Sequence, residues 1–132
     1  MRSWRLVLVG FAAFFSATCG NRASARITLE EGARAPAPVL VMDAPEAPRF
    51  IQIERTSDRP TLAGNPTMWR LVRRPDTTVT PPVRVVYGIV PEGYSAAAPA
   101  AVLYPASYRV FAKLTHGNAE RAFTVATDGS VR

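Results

Sequence analysis

His116 is the only histidine and Cys19 the only cysteine in this chain of 132 residues. Neither a His cluster for metal nor a Cys/His nucleophile can therefore be assembled, and a Ser-His-acid arrangement would have to use His116 alone. His116 falls at a predicted hairpin tip, which is usually exposed and mobile, so it reads as a turn residue. The remaining candidates for chemistry are carboxylates. Of the ten, Asp43, Glu46, Asp58, Asp76, Glu92 and Asp128 lie in apparent loops. A glycosidase-like pair needs two carboxylates about 5 to 10 Å apart, and so small a chain offers little from which to build a cleft around one. No phosphate loop, dinucleotide fingerprint or calcium loop is present. The expectation is a protein without cofactor or metal and not an enzyme; a small secreted hydrolase using a carboxylate pair is the alternative.

Cys19 has a different chemistry. Arg2 and Arg5 form a positive start, and Leu6 to Ala17 is an uncharged apolar run, shorter than the roughly 20 residues a membrane span requires. The run has no polar face at helical spacing, so it reads as an export signal rather than a buried helix. Ser16-Ala17-Thr18-Cys19 resembles the lipobox of bacterial lipoproteins, which implies cleavage before Cys19 and lipidation of its sulfur. Ala23-Ser24-Ala25 offers the A-x-A pattern of ordinary secretion, with cleavage after residue 25 and a soluble product. The expected location is the cell envelope, either as an outer-membrane lipoprotein or as a periplasmic or secreted protein. The expected partners are the membrane through the anchor, and an anionic envelope component or another envelope protein. That compartment excludes nucleic acid.

The charge supports nothing stronger. Of 16 basic residues, 15 are Arg. Removing Arg2, Arg5 and Arg22 leaves 13 against 10 acids, a net charge of +3. Arg with abundant Ala, Pro and Val is what GC-rich codons translate to, so Arg enrichment is weak evidence of phosphate binding. Without a disulfide, the domain must rest on apolar packing and backbone hydrogen bonds.

The elements that must position any site are short. All 12 prolines follow residue 25, spaced closely enough to exclude long helices. Residues 20–38 are polar and Ala-rich and read as a flexible tether, leaving 39–132 as the domain. β-branched and aromatic runs predict strands over Val39–Met42, Phe50–Arg55, Met68–Arg74, Val83–Val90, Tyr108–Leu114 and Arg121–Val125. The fold class expected is all-β, a small antiparallel sandwich, with a small barrel as alternative.

Alternation sets Trp69 and Leu71 on one face and Met68, Arg70, Val72 and Arg74 on the other. Pairing Trp69 with Tyr87 and Leu71 with Val85 would gather the core residues and put Arg70, Arg74 and Arg84 on one solvent-facing surface. Such a surface could contact anions, or could simply be the wet side of a sheet. In the last hairpin, a four-residue loop from His116 to Ala119 pairs Val110 with Val125 and Ala112 with Phe123, all inside. Tyr94 and Tyr104 flank an alanine-rich connection, which reads either as a binding loop or as a crossover whose tyrosines cover the end of the core.

Leu103-Tyr104-Pro105-Ala106-Ser107-Tyr108-Arg109-Val110 resembles the L-x-P-G-x-Y-x-V entry to a late strand in fibronectin-type-III-like and immunoglobulin-like bacterial domains, with Ala106 in place of the usual Gly. The resemblance covers about 25 residues. It implies a sandwich in which Tyr108 packs at a corner with its hydroxyl bonded to upstream backbone, and it carries no catalytic residue. Tyr87-Gly88-Ile89-Val90-Pro91-Glu92-Gly93 is similar to part of small bacterial envelope proteins.

Overall fold

The computed structural model describes residues 25–56 and 65–132. The expected signal segment with Cys19, and also Asp58, lie outside the described residues. In chain order the strands are β1 (Arg26–Leu29), β2 (Val39–Asp43), β3 (Phe50–Arg55), β4 (Thr67–Arg73), β5 (Val83–Val86), β6 (Tyr94–Ser95), β7 (Ala106–Leu114) and β8 (Gly117–Val125). They form two packed antiparallel sheets, one of three strands in the order β1-β2-β5 and one of five in the order β6-β4-β3-β7-β8.

Period-two patterning decides which side chains enter the space between the sheets. In the larger sheet, Ile53 lies opposite both Trp69 and Val110, and Ile51 opposite both Leu71 and Ala112. These rows are buried. Leu40, Met42, Val83 and Val85 of the smaller sheet close over them in one core. Trp69 meets Tyr87 edge-on with ring centroids 5.2 Å apart, and Tyr108 stacks on Phe123 at 5.4 Å.

Four expectations need correction. First, β4 does not pair with β5. Instead β5 pairs with β2, setting Val85 opposite Leu40, and β4 pairs with β3. Alternation fixes the face a residue presents but not its neighbour: two strands facing each other across a sandwich satisfy the same pattern as two strands side by side. Trp69 and Tyr87 therefore meet, but from opposite sheets. Second, β5 stops at Val86 because the Ile89 N–H donates to the Val86 carbonyl at 3.0 Å and turns the chain.

Third, the last hairpin closes on two residues, Thr115 and His116, with Leu114 opposite Gly117. Gly117 adopts φ 124°, a conformation that side chains disfavour. The register therefore sets Val110 opposite Arg121, Ala112 opposite Ala119 and Tyr108 opposite Phe123. The shift is even, so Val110, Ala112, Phe123 and Val125 remain buried as expected. Fourth, the tether expected over 20–38 is folded from residue 25 onward. There β1 pairs with β2, and Ile27 is buried in the core.

Candidate functional site

The inward rows of the larger sheet do not end with its apolar residues. Arg73 lies two residues beyond Leu71 at the core-facing parity of β4, while Arg49 directly precedes β3 and is exposed. The Arg73 N–H donates to the Arg49 carbonyl at 2.9 Å, extending the ladder between the strands by one pair. By sheet geometry the two Cβ atoms of such a pair are about 5 Å apart. The sheet thus continues past the end of the core with two cations where Ile51 and Leu71 stand one step earlier. Here an open hollow of about 580 Å³ lies between the connection that follows β2 and the one that follows β4.

Two connections wall this mouth. Residues 44–49 carry Pro45, Glu46 and Ala47, and residues 74–82 carry Thr77, Thr78 and Val79. Ala47 and Pro48 are buried. Arg73 Nη1 donates to the Ala47 carbonyl at 2.8 Å, and the Tyr94 hydroxyl donates to the Pro48 carbonyl at 2.7 Å, so the first wall is pinned twice. In the second wall, Thr77 Oγ1 donates to the Arg74 carbonyl at 2.7 Å. Gly93 has φ 85°, and a Cβ there would lie 2.4 Å from Val79 Cγ2, so this position requires glycine.

The electrostatics of the mouth are uneven. Glu46 is the carboxylate among its lining residues, and it is engaged elsewhere: Oε1 accepts from the Thr115 N–H at 2.6 Å and Oε2 from the Thr115 hydroxyl at 2.9 Å. These bonds, with a smaller contribution from Arg73, hold its carboxyl below the usual carboxylate range. Glu46 thereby braces the β7–β8 turn. Arg49 is exposed and Arg73 half-buried, and one donor of the Arg73 guanidinium is committed to Ala47. The arrangement can hold one small anionic group, a carboxylate or phosphate, between two guanidiniums.

The residues singled out from sequence are dispersed. Arg70 projects from the outer face of β4, with its guanidinium carbon 4.9 Å from the Phe50 ring centroid. Arg84 lies on the outer face of the other sheet, where Nε and Nη2 reach Glu30 at 2.8 and 3.2 Å. Arg84 holds the Glu30 carboxyl below its ordinary range. Arg74 follows β4 and binds the Gly93 carbonyl through its backbone at 2.8 Å. The three therefore share no surface, because β4 and β5 belong to opposite sheets. Tyr94 is buried and Tyr104 is 66% exposed, so they do not form one aromatic loop. The Tyr104 carbonyl accepts the Tyr108 hydroxyl at 2.6 Å, the corner bond expected of Tyr108. His116 is exposed at the two-residue turn. Among the described residues, no three His, Cys, Asp or Glu side chains lie close enough to hold a metal.

Sequence reasoning missed two features. Arg73 carried a legible signal, since it falls on the inward parity of β4, whereas Arg49, just before β3, carried none. Glu54, 9% exposed, pairs with Arg109 directly opposite it on β7. A Glu inside a strand gave that hint, but its partner lies 55 residues away.

Fold and site together define an all-β protein of two packed antiparallel sheets with a cationic hollow at one end of the larger sheet, between the 44–49 and 74–82 connections. No family model, curated protein or solved structure matches the chain.

Proposed function

We propose that this protein is a non-enzymatic binding module of the bacterial cell envelope, exported and anchored through a lipid on Cys19, whose cationic mouth takes an anionic group of an envelope component. The observation that carries the reading is the Arg49–Arg73 pair. Two like charges, the half-buried Arg73 and the exposed Arg49 beside it, line one hollow, and the one carboxylate in the lining is spent on Thr115. A bound anion relieves their mutual repulsion.

The path of the chain supports the orientation. β1 sets Arg26 opposite Asp43, so residue 25 enters the body at the end where the 44–49 wall begins. The six Cα-to-Cα steps from Cys19 to residue 25 reach about 20 Å at most. An anchor on Cys19 would then hold the mouth near the lipid head groups. The sandwich is of the immunoglobulin-like or fibronectin-type-III-like kind. Supporting this are the β3-β7-β8 neighbours, the separate β1-β2-β5 sheet and the Tyr108 corner bond. The carboxylate-pair hydrolase gains nothing from the mouth, where Glu46 has no second acid beside it in the lining.

Cosedimentation with anionic vesicles and with cell-wall sacculi at low and high salt tests the binding. Salt-sensitive binding that is lost in the double variant Arg49→Gln, Arg73→Gln and kept in Arg84→Gln is expected. Binding that the double variant retains would exclude the mouth. Intact mass of protein from the native host tests the anchor: an acylated Cys19 is expected, and an unmodified N-terminus at Arg26 would mean a soluble product.

A further inference from the structure

The hollow contains its own rival for an anion. Glu46 lines it together with Arg73, and Arg73 Nη1 donates to the carbonyl of Ala47, the next residue in the chain. The Glu46 carboxylate therefore hangs from the same short wall that the guanidinium grips. A carboxylate is the natural partner of a guanidinium, able to accept two of its N–H groups at once. Both Glu46 oxygens are taken by Thr115 instead, Oε1 by its N–H at 2.6 Å and Oε2 by its hydroxyl at 2.9 Å. The Thr115 bonds, and after them the Arg73 charge, hold the Glu46 carboxyl below its ordinary range, so the two charges feel each other across the hollow.

The donor comes from far along the chain. Thr115 opens the two-residue β7–β8 turn, 69 positions from Glu46, and it is exposed. The Arg49 N–H donates to the Lys113 carbonyl at 2.6 Å, which fastens the end of the first wall to the end of β7 without help from Glu46. The Thr115 hydroxyl is thus not needed to hold this end of the fold together. What it sets is the direction in which the carboxylate points.

We infer that Thr115 is a positioning residue of the anion site: by holding Glu46 it keeps that carboxylate off Arg73, and release of Glu46 closes the site from within. The inference rests on the anion reading of the hollow. Two partners compete for one guanidinium, and the tethered carboxylate acts at a high effective concentration whenever it is free to turn. Thr115 withdraws it from the competition. By linkage, an anion on Arg73 tightens Glu46 on Thr115 by the same factor by which Thr115 favours the anion, so occupancy of the hollow is felt at the turn.

The test is an NMR titration of the full chain with inorganic phosphate. Thr115→Val removes the hydroxyl and keeps the shape. It should weaken phosphate binding about fivefold and, before any phosphate is added, move the Arg73 Nε–H resonance, while Thr115→Ser should match the unaltered protein. In a Glu46→Gln background Thr115→Val should change neither. Thr115→Ala serves the same purpose if valine disturbs the turn. An Arg73 resonance that loss of the hydroxyl leaves in place, or weakened binding that persists in the Glu46→Gln background, would overturn the inference. Absence of phosphate binding in the unaltered protein would instead overturn the anion reading of the hollow, and the Arg73 resonance without phosphate would still decide whether Thr115 holds Glu46 away.

Discussion

The two ends of the sandwich finish the same core in opposite ways. At one end the inward residues are aromatic, and their polar tips are satisfied: Tyr87 donates to Ala101 and Tyr108 to Tyr104. At the other end Arg73 takes the inward position with the exposed Arg49 beside it, and both line an open hollow. An aromatic ring buries its body and needs one partner for its hydroxyl, so it can close a core. A guanidinium carries five donors and a charge, and it keeps its end of the sheet open to water or to an anion. One end is closed by buried rings and the other is left charged and open.

The sharpest way to break this comparison is at the closed end. Phe123 is 2% exposed and stacked on Tyr108, so Phe123→Ala should cost about 3 to 5 kcal/mol in a denaturant melt. An unchanged midpoint would mean that the Tyr108 corner is not what holds that end. Tyr108→Phe keeps the ring and removes only its bond to Tyr104, so a loss of about 0.5 to 1.5 kcal/mol is expected by the same measurement.

Alkaline pH probes both ends together. Burial pushes the hydroxyls of Tyr87 and Tyr94 up to about 12, above the value near 10 of an unfolded tyrosine. A raised native value means that the folded state holds these protons more tightly. The contribution is complete below about pH 10 and fades as the pH rises toward 12. Stability should therefore fall over that window, and Tyr87→Phe should make the fall shallower. A flat profile would place these hydroxyls in water.

The smallest expected effect belongs to the open end. Arg49→Gln removes one of two adjacent like charges at an exposed position, so it should change stability by no more than about 0.5 kcal/mol in either direction while weakening any salt-sensitive binding. A large destabilisation would show that Arg49 is structural and that the contrast between the ends is false.

Much of this contrast could be read along the chain. The inward parity of Trp69, Leu71, Val83, Val85, Val110 and Phe123 followed from alternation, and the all-β class from the spacing of the prolines and the β-branched and aromatic runs between them. The Tyr108 corner followed from one short motif. What alternation could not supply was partnership. A pleated strand presents the same face whether its neighbour lies beside it or across the core, so the expected β4–β5 hairpin and the three-arginine surface were equally compatible with the pattern. β1 was hidden in a polar stretch that has only Ile27 and Leu29 to mark it, and β6 spans two residues, too few for a period.

The sequence by itself determined which side chains turn inward, because side-chain direction is a local property of an extended backbone. It also determined that position 99 has no N–H to offer any neighbouring strand, because that follows from the proline ring. Only the tertiary structure decided which strands share hydrogen bonds, where the core stops along β3 and β4, and that Arg49 and Arg73 stand together beyond it. Those outcomes depend on contacts between segments separated in the chain, where many pairings bury the same residues and the choice among them rests on the packing of the whole.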